Sequence, residues 1–319
     1  MTMMQEVSRM KGVGAVVLAS VLWGTTGTAA SFTQGVSPFA IGAFATGVGG
    51  LLLMLYSRRS LISNRTVLLE NPVLLLVGSA AVAVYPLAFY AAMNWSGVAI
   101  GTVISIASAP FFTMLLECLI SKKRASLSWM VSFVLGALGI GFLIMGNPHN
   151  GTAALDEGLY SLGLVLGMLA GLTYAIYSWV AKALIDKGAQ SQSSMASMFG
   201  LASLVLIPSL LLTGDNLFLN AEHVGIAFYM AIFPMFVGYL LFGYGLRTIE
   251  ASKATLITLL EPAVATLFAI WIIGEKLTAL GWVGMLSIIV CLVLQLFPSK
   301  QIAPKKLKVP KDQKPLKAS

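Results

Sequence analysis

Apolar residues fill ten long runs along the chain, and short polar segments separate them. Each run has the length of about 20 residues that an α-helix needs to cross the hydrocarbon core of a bilayer. The seventh run is the weakest, because it begins with the polar stretch QSQSSMASM. The pattern predicts membrane-spanning helices at residues 12–31, 36–56, 72–94, 97–120, 127–145, 159–183, 192–213, 223–246, 251–273 and 278–297.

The composition favours the same interpretation. The chain of 319 residues is 58% hydrophobic and only 10% charged, whereas about 25% of the residues in an ordinary soluble domain are charged. The fold class predicted is therefore an all-α integral membrane protein of ten transmembrane helices. Cys118 and Cys291 both lie in apolar runs, and His149 and His223 are isolated, so the sequence suggests no disulfide framework, metal site or other cofactor.

Basic residues predict how the chain is oriented. With the N-terminal segment 1–11 in the cytoplasm, the cytoplasmic segments hold every lysine and arginine of the chain except Lys276. Cytoplasmic loops carry such an excess of positive charge in multi-pass proteins. We therefore expect a multi-pass protein of the cell inner or plasma membrane with both termini cytoplasmic. Although Arg9 and Lys11 precede the first run as in a signal peptide, nine further runs follow, and we interpret the first run as uncleaved.

The C-terminal tail, residues 298–319, accounts for most of the net charge of +8. It is rich in lysine and proline and poor in aromatic residues, which predicts a disordered segment. Anionic lipid of the inner leaflet would attract such a tail at about 1 kcal/mol per basic residue, and an anchor of topology is an equal alternative. Since the charge is confined to the tail, nucleic acid is not an expected partner.

Several features recur after about 152 residues. Trp129 aligns with Trp282, VLASVLWG at 17–24 aligns with GMLAGLTYA at 167–175, and Pro110 aligns with Pro262. The repeat divides the chain into a first unit at 12–145, an external linker at 146–158 and a second unit at 159–297. Because each unit holds five helices, an odd number, the second must enter the membrane in the opposite sense. Such inverted repeats are typical of secondary transporters.

Two stretches resemble a known family. WGTTGT in the first span and LLEPAVATLFAIWIIGEKLTALGWVGMLSIIVCLVL in the last two are similar to the drug/metabolite transporter superfamily, in its EamA-type branch. The resemblance covers the chain through residue 297. It implies a carrier of small organic solutes in the inner membrane, often an exporter of amino acids, amines or drugs, and it does not identify a substrate.

Glu261 and Pro262 stand side by side in the middle of the ninth run. An ionised side chain at the bilayer centre costs about 3 kcal/mol, and proline inside a helix costs about as much again. Interrupted helices at matching positions mark the binding sites of inverted-repeat carriers, so we predict helix breaks at Pro110 and Pro262. Glu261 has two compatible interpretations, as a cap of the second half-helix or as a proton or cation site facing a cavity.

Aromatic residues form the second candidate group. Trp23 and Tyr174 occupy matching positions in the two units, and further tyrosines lie on the third and eighth spans. Rings with a polar tip suit a cavity that binds an organic solute. Gly24, Thr25, Gly27 and Thr28 form a stripe of small residues that predicts either a polar wall or close helix packing. The predicted substrate-binding residues are Trp23, Thr25, Tyr85, Tyr90, Tyr174, Tyr239 and Glu261.

Other acidic residues have simpler interpretations. Glu117 lies one turn from Lys122–Arg124, and we expect its side chain to reach toward them. Asp156 and Glu157 are predicted outside, far in depth from Glu261, so no pair of acids converges as an enzyme would need. The sequence thus favours a secondary carrier, a monomer or homodimer, over a membrane-embedded enzyme, channel, receptor or lipid-moving protein.

Overall fold

The computed structural model describes residues 3–146, 157–274 and 276–296, and within them it is all-helical. Residues 147–156 of the predicted linker, which include His149, and the predicted tail at 298–319 lie outside the described residues. Ten helical spans in the described part are long and apolar enough to cross a membrane, which confirms the predicted number. Numbered in chain order, spans 1 to 10 are Met4–Ser31, Pro38–Tyr56, Pro72–Ser96, Ile100–Leu119, Leu127–Met145, Gly158–Asp186, Ser191–Thr213, Ala221–Leu246, Ala251–Ile272 and Ala279–Leu296.

Seven of the spans are single α-helices and three are composite. The single helices are Pro38–Tyr56, Pro72–Ser96, Val98–Leu119, Leu127–Met145, Glu157–Asp186, Ser191–Thr213 and Ala279–Leu296. Span 1 is built from Met3–Gly24 and Thr26–Ser31, and span 8 from Ala221–Met230, a π-helical turn at Ala231–Val237, and Gly238–Leu246. Span 9 is built from Ala251–Ile257, Leu260–Phe268 and a π-helical turn at Ala269–Ile273. Two short helices, Arg58–Ser63 and Arg65–Leu69, connect spans 2 and 3.

The polar start of span 7 has a structural explanation. Ser193 and Ser194 are fully buried, because the first half of this helix is covered by protein, whereas Leu204, Leu211 and Leu212 in its second half are exposed. The Ser194 hydroxyl donates to the carbonyl oxygen of Ala181 on span 6, and the Ser193 hydroxyl donates to Asn64 in the connection between spans 2 and 3. Buried hydroxyls with such partners cost little. The polar stretch that opens this run therefore belongs to the part of the helix that is covered by protein.

The contacts between spans come in matched pairs. Span 3 packs on span 6 as span 8 packs on span 1, and span 4 packs on span 6 as span 9 packs on span 1. Span 2 also packs on span 7, and span 5 on span 10, which are the contacts that would lie on a two-fold axis. Exchanging the first five spans with the last five leaves this set of contacts unchanged. A duplicated chain folded as two similar halves has this property.

Candidate substrate cavity

The helix of span 9 is interrupted immediately before Glu261. The first segment ends at Ile257, Thr258 and Leu259 form a turn, and the second segment begins at Leu260. The backbone N–H of Glu261 donates to the Thr258 carbonyl oxygen at 2.9 Å. Pro262 therefore lies in the first turn of a helix. Backbone N–H groups there have no intrahelical acceptor, so the lack of an N–H in proline costs no hydrogen bond. The chain breaks where the Glu-Pro pair predicted it.

Pro110 behaves differently, and the predicted break there is wrong. The helix Val98–Leu119 continues through Pro110 without interruption. One lost backbone hydrogen bond is tolerated in a membrane helix when packing and side-chain hydroxyls support the flanking turns. Span 4 is packed against span 6 and the first segment of span 9, and the Thr113 hydroxyl donates to the Ala109 carbonyl oxygen at 2.7 Å. Of the two matching spans 4 and 9, only span 9 is thus interrupted at its proline.

The carboxylate of Glu261 faces a cavity near the middle of the bundle. The side chain is half-buried, and within the described residues its carboxylate accepts no hydrogen bond. The N-cap of the second segment is Leu259, which makes no side-chain cap. Glu261 still lies in the first turn, where the helix dipole favours negative charge. Its carboxylate is therefore held near a helix start and remains free to interact with a solute.

The cavity lies between the two halves of the chain. Spans 1, 2 and 3 line one side, and spans 6, 8 and 9 line the other. Its volume is about 50 Å³, enough for about four water molecules. Ligand pockets are usually several times larger. An organic solute therefore needs the halves to move apart from the arrangement described.

Trp23 forms the aromatic centre of the site. Its indole N–H donates to the Pro234 carbonyl oxygen at 2.8 Å, within the π-helical turn of span 8, whose wider winding departs from ordinary helical pairing. The Trp23 ring lies 4.9 Å from the Tyr239 ring and 6.5 Å from the Tyr174 ring, centroid to centroid. The tryptophan of one half is thus fixed against tyrosines of the other.

Three tyrosine hydroxyls hold this arrangement together. The Tyr174 hydroxyl donates to Thr258 Oγ1 at 3.0 Å, at the interruption of span 9. The hydroxyls of Tyr177 and Tyr239 form a hydrogen bond of 3.0 Å. Tyr177 was not among the residues predicted from the sequence. Its position three residues after Tyr174 places both rings on one helix face, and this spacing was the available signal.

The structure brings most of the predicted residues to one place. Thr25 does not line the cavity, because its hydroxyl donates to the Leu22 carbonyl oxygen at 2.6 Å and shares a hydrogen bond with the Tyr229 hydroxyl. Thr26 lines the cavity in its place. Gly24 packs against Val264 of span 9, whereas the position of Gly27 is open. The predicted residues that do line the cavity are Trp23, Tyr85, Tyr90, Tyr174, Tyr239 and Glu261.

Glu117 does not reach toward the neighbouring basic residues as expected. It is only 2% exposed, and its carboxylate accepts hydrogen bonds from the backbone N–H of Ser252 at 3.2 Å and the Ser252 hydroxyl at 2.5 Å. Ser252 begins span 9, so the carboxylate satisfies donors at a helix start. Trp129 donates to the Ser252 carbonyl oxygen from span 5 at 3.2 Å. These bonds join the two halves at the predicted cytoplasmic end.

An ion pair between Lys123 and Glu250 lies beside this contact. Partial burial of the ammonium lowers the pKa of Lys123, but the hydrogen bond and charge of Glu250 outweigh that effect and leave the pKa above its ordinary value. Lys123 therefore stays charged through the physiological range. Both side chains are more than one third exposed, so the pair adds less than the buried Glu117 contact.

Comparison with known proteins identifies similar sequences. A sequence model described as "EamA-like transporter family" matches residues 10–145 and 161–297. The chain is 31% identical over 290 residues to the Bacillus subtilis protein named "Uncharacterized transporter YwfM", covering 90% of this chain and 94% of that one. It is 23% identical to the Salmonella typhimurium protein named "Uncharacterized inner membrane transporter YicL", covering 93% of this chain and 98% of that one.

A protein of known crystal structure has the same fold. Its chain superposes with a TM-score of 0.75 at 14% sequence identity, over 89% of this chain and 95% of that chain. At this identity the likeness concerns the arrangement of the helices alone.

Proposed function

Since the chain belongs to the EamA-like transporter family, we propose that this membrane transporter is a secondary carrier that exports small organic solutes by alternating access. The observation that carries the proposal is the cavity between the two halves, which exposes the carboxylate of Glu261 among aromatic rings. A central site between two rocking units is how inverted-repeat carriers bind a solute from either side.

The inverted repeat is part of the proposal. The two ranges matched by the family model, 10–145 and 161–297, agree closely with the two predicted units. The matched pairs of contacts between spans support the same division. In the membrane, each unit would adopt the arrangement of the other as the carrier changes between the conformer open to the cytoplasm and the conformer open to the outside.

Glu261 provides a route to proton coupling. Its carboxylate lies half-buried beside the cavity and has no hydrogen-bond partner among the described residues. A buried acid of this kind can be occupied by a proton or by a solute, one at a time. Export would then be driven by protons that enter when the solute leaves.

The proposal is tested first by growth and then by transport. Cells overexpressing the protein are challenged with a panel of toxic amino acids, amines and drugs, and compared with cells expressing Glu261→Gln at equal membrane levels. A toxic solute to which the wild-type protein gives resistance is then labelled, and its uptake is measured in inside-out vesicles with and without an imposed pH gradient. We expect saturable, gradient-dependent accumulation of chemically unchanged solute by the wild type.

The Glu261→Gln variant separates transport from coupling. Gln fixes the neutral form, so accumulation driven by the pH gradient should be lost, while exchange of labelled for unlabelled solute need not move a proton. Glu70→Gln, which removes an exposed carboxylate before span 3, is the matched control. Equal responses to the gradient in wild type and Glu261→Gln would refute the coupling. The absence of transport for every solute to which the protein gives resistance would refute the carrier.

A further inference from the structure

The charged groups of the cavity have one sign. Among the described residues that line it, Glu261 is the one carboxylic acid, and none of the others is a lysine, arginine or histidine. A solute bearing a carboxylate or phosphate would enter beside Glu261 without a basic side chain to compensate it. Burying like charges together is strongly unfavourable. The cavity therefore disfavours anions.

The rings that face the cavity offer a second attraction for positive charge. Tyr85, Phe89 and Tyr90 on span 3 are half-buried and contribute aromatic surface to the lining. The Tyr85 and Phe89 rings are stacked at 5.8 Å, and the Tyr90 ring meets Phe89 edge-on at 5.4 Å. Ring faces carry partial negative charge and attract ammonium groups, most strongly where water is displaced.

Several hydroxyl donors of the lining are used within the protein, whereas those of Tyr85 and Tyr90 make no hydrogen bond among the described residues. The Tyr174 hydroxyl donates to Thr258, and the Tyr177 and Tyr239 hydroxyls bond each other. The start of the helix Leu260–Phe268 also offers backbone donors, but Glu261 occupies its first turn and would repel a second carboxylate. The ammonium group of a zwitterion would thus be attracted to the cavity, but its carboxylate would be repelled by Glu261.

From the lone carboxylate, the absence of a basic side chain in the described lining and the aromatic rings beside it, we infer that the cavity binds monovalent organic cations, amines or quaternary ammonium compounds with an apolar or aromatic group. The ammonium group would pair with Glu261, and the apolar group would lie against the rings of span 3. This inference rests on the proposed carrier function, and it selects amines over amino acids as the substrate class.

Binding is measured on the full-length protein in lipid nanodiscs, with four probes that share one phenylethyl skeleton. Phenethylammonium carries a cation, 2-phenylethanol is neutral, 3-phenylpropanoate is an anion, and phenylalanine is a zwitterion. Quenching of tryptophan fluorescence and the shift in thermal stability report binding without requiring transport. We expect phenethylammonium to bind at least about tenfold more tightly than each of the other three, since one tenfold step is about 1.4 kcal/mol.

Variants test whether the preference for cations comes from the Glu261 carboxylate and from the aromatic rings of span 3. Glu261→Gln should weaken phenethylammonium about thirtyfold, as expected when one partner of a buried charge pair is removed, and should leave 2-phenylethanol nearly unchanged. Tyr85→Leu should weaken phenethylammonium about five- to thirtyfold, whereas Tyr85→Phe keeps the ring and should weaken it by much less than Tyr85→Leu. Glu70→Gln is the control for loss of a distant carboxylate.

The outcomes distinguish this inference from the carrier proposal. Phenylalanine or 3-phenylpropanoate binding as tightly as phenethylammonium would overturn the cation preference, even if transport were observed. Phenethylammonium binding that survives Glu261→Gln undiminished would overturn the role of Glu261. Cation binding that follows the predicted order, in a protein that never moves solutes across vesicles, would support the cation site and refute the carrier.

Discussion

Removing the Glu117 carboxylate should destabilise the protein more than any change to an exposed acid. In Glu117→Ala, the backbone N–H and the hydroxyl of Ser252 both lose their acceptor while remaining buried. Each unsatisfied group costs about 1–3 kcal/mol, and the truncated side chain leaves a small cavity. We expect a loss of about 3–5 kcal/mol, in the range measured for broken buried charged contacts. Glu117→Gln keeps one acceptor oxygen and should lose about 1–2 kcal/mol.

The free energy of unfolding is measured by denaturant titration in mixed micelles for wild type, Glu117→Gln, Glu117→Ala and Ser252→Ala. A double-mutant cycle between Glu117 and Ser252 should give a coupling energy of about 1–3 kcal/mol, as residues in direct contact do. Glu70→Ala, at an exposed position, should change stability by less than about 0.5 kcal/mol. If Glu117→Ala were as mild as Glu70→Ala, the bonds between Glu117 and Ser252 would not hold the halves together.

Three further predictions concern the topology, the tail and one helix contact. A reporter inserted after residue 150 should be periplasmic, and a cytoplasmic signal there would contradict the five-plus-five inversion. Removing residues 301–319 should keep transport per inserted molecule within about twofold, and its complete loss in a well-inserted protein would give the tail a direct role. Gly24→Ala should cost about 1–3 kcal/mol, since its Cβ would lie 2.7 Å from the Val264 side chain, whereas Gly27→Ala has open space. Val264→Ala should partly restore Gly24→Ala, and equal thermal stability of the two alanine variants would show that this contact is not close.

The sequence predicts the spans and the interruption near Glu261 because both depend on local chemistry. A run of apolar residues reports burial in lipid or protein whatever surrounds it, and a proline beside a carboxylate is unfavourable in a continuous membrane helix. Pro110 shows the limit of that argument. Whether one missing hydrogen bond breaks a helix depends on packing from spans that are distant in sequence, and those contacts support span 4.

The contacts of Glu117 could not be read from its neighbours. Basic residues lie nearby in the chain, yet its partner Ser252 is 135 positions away. The rings of the cavity were more accessible to prediction, because Trp23 and Tyr174 occupy matching positions of the repeat. Thr25 was assigned to the cavity from the same stripe as its neighbours. A turn of the backbone between the two helices of span 1 directs it to Tyr229 instead.

The contact at Glu117 has no counterpart in the other half. At the offset of the repeat, Ala269 stands where a second glutamate would be needed, and Ile100 stands where a second serine would be needed. Two conformers related by exchanging the halves would otherwise be close in free energy and similarly populated. A contact worth about 2 kcal/mol in one of them makes that conformer about thirtyfold more abundant. We therefore expect the conformer that is closed at the predicted cytoplasmic end to predominate in the absence of solute. A solute that binds the conformer open to that side would shift the population toward it.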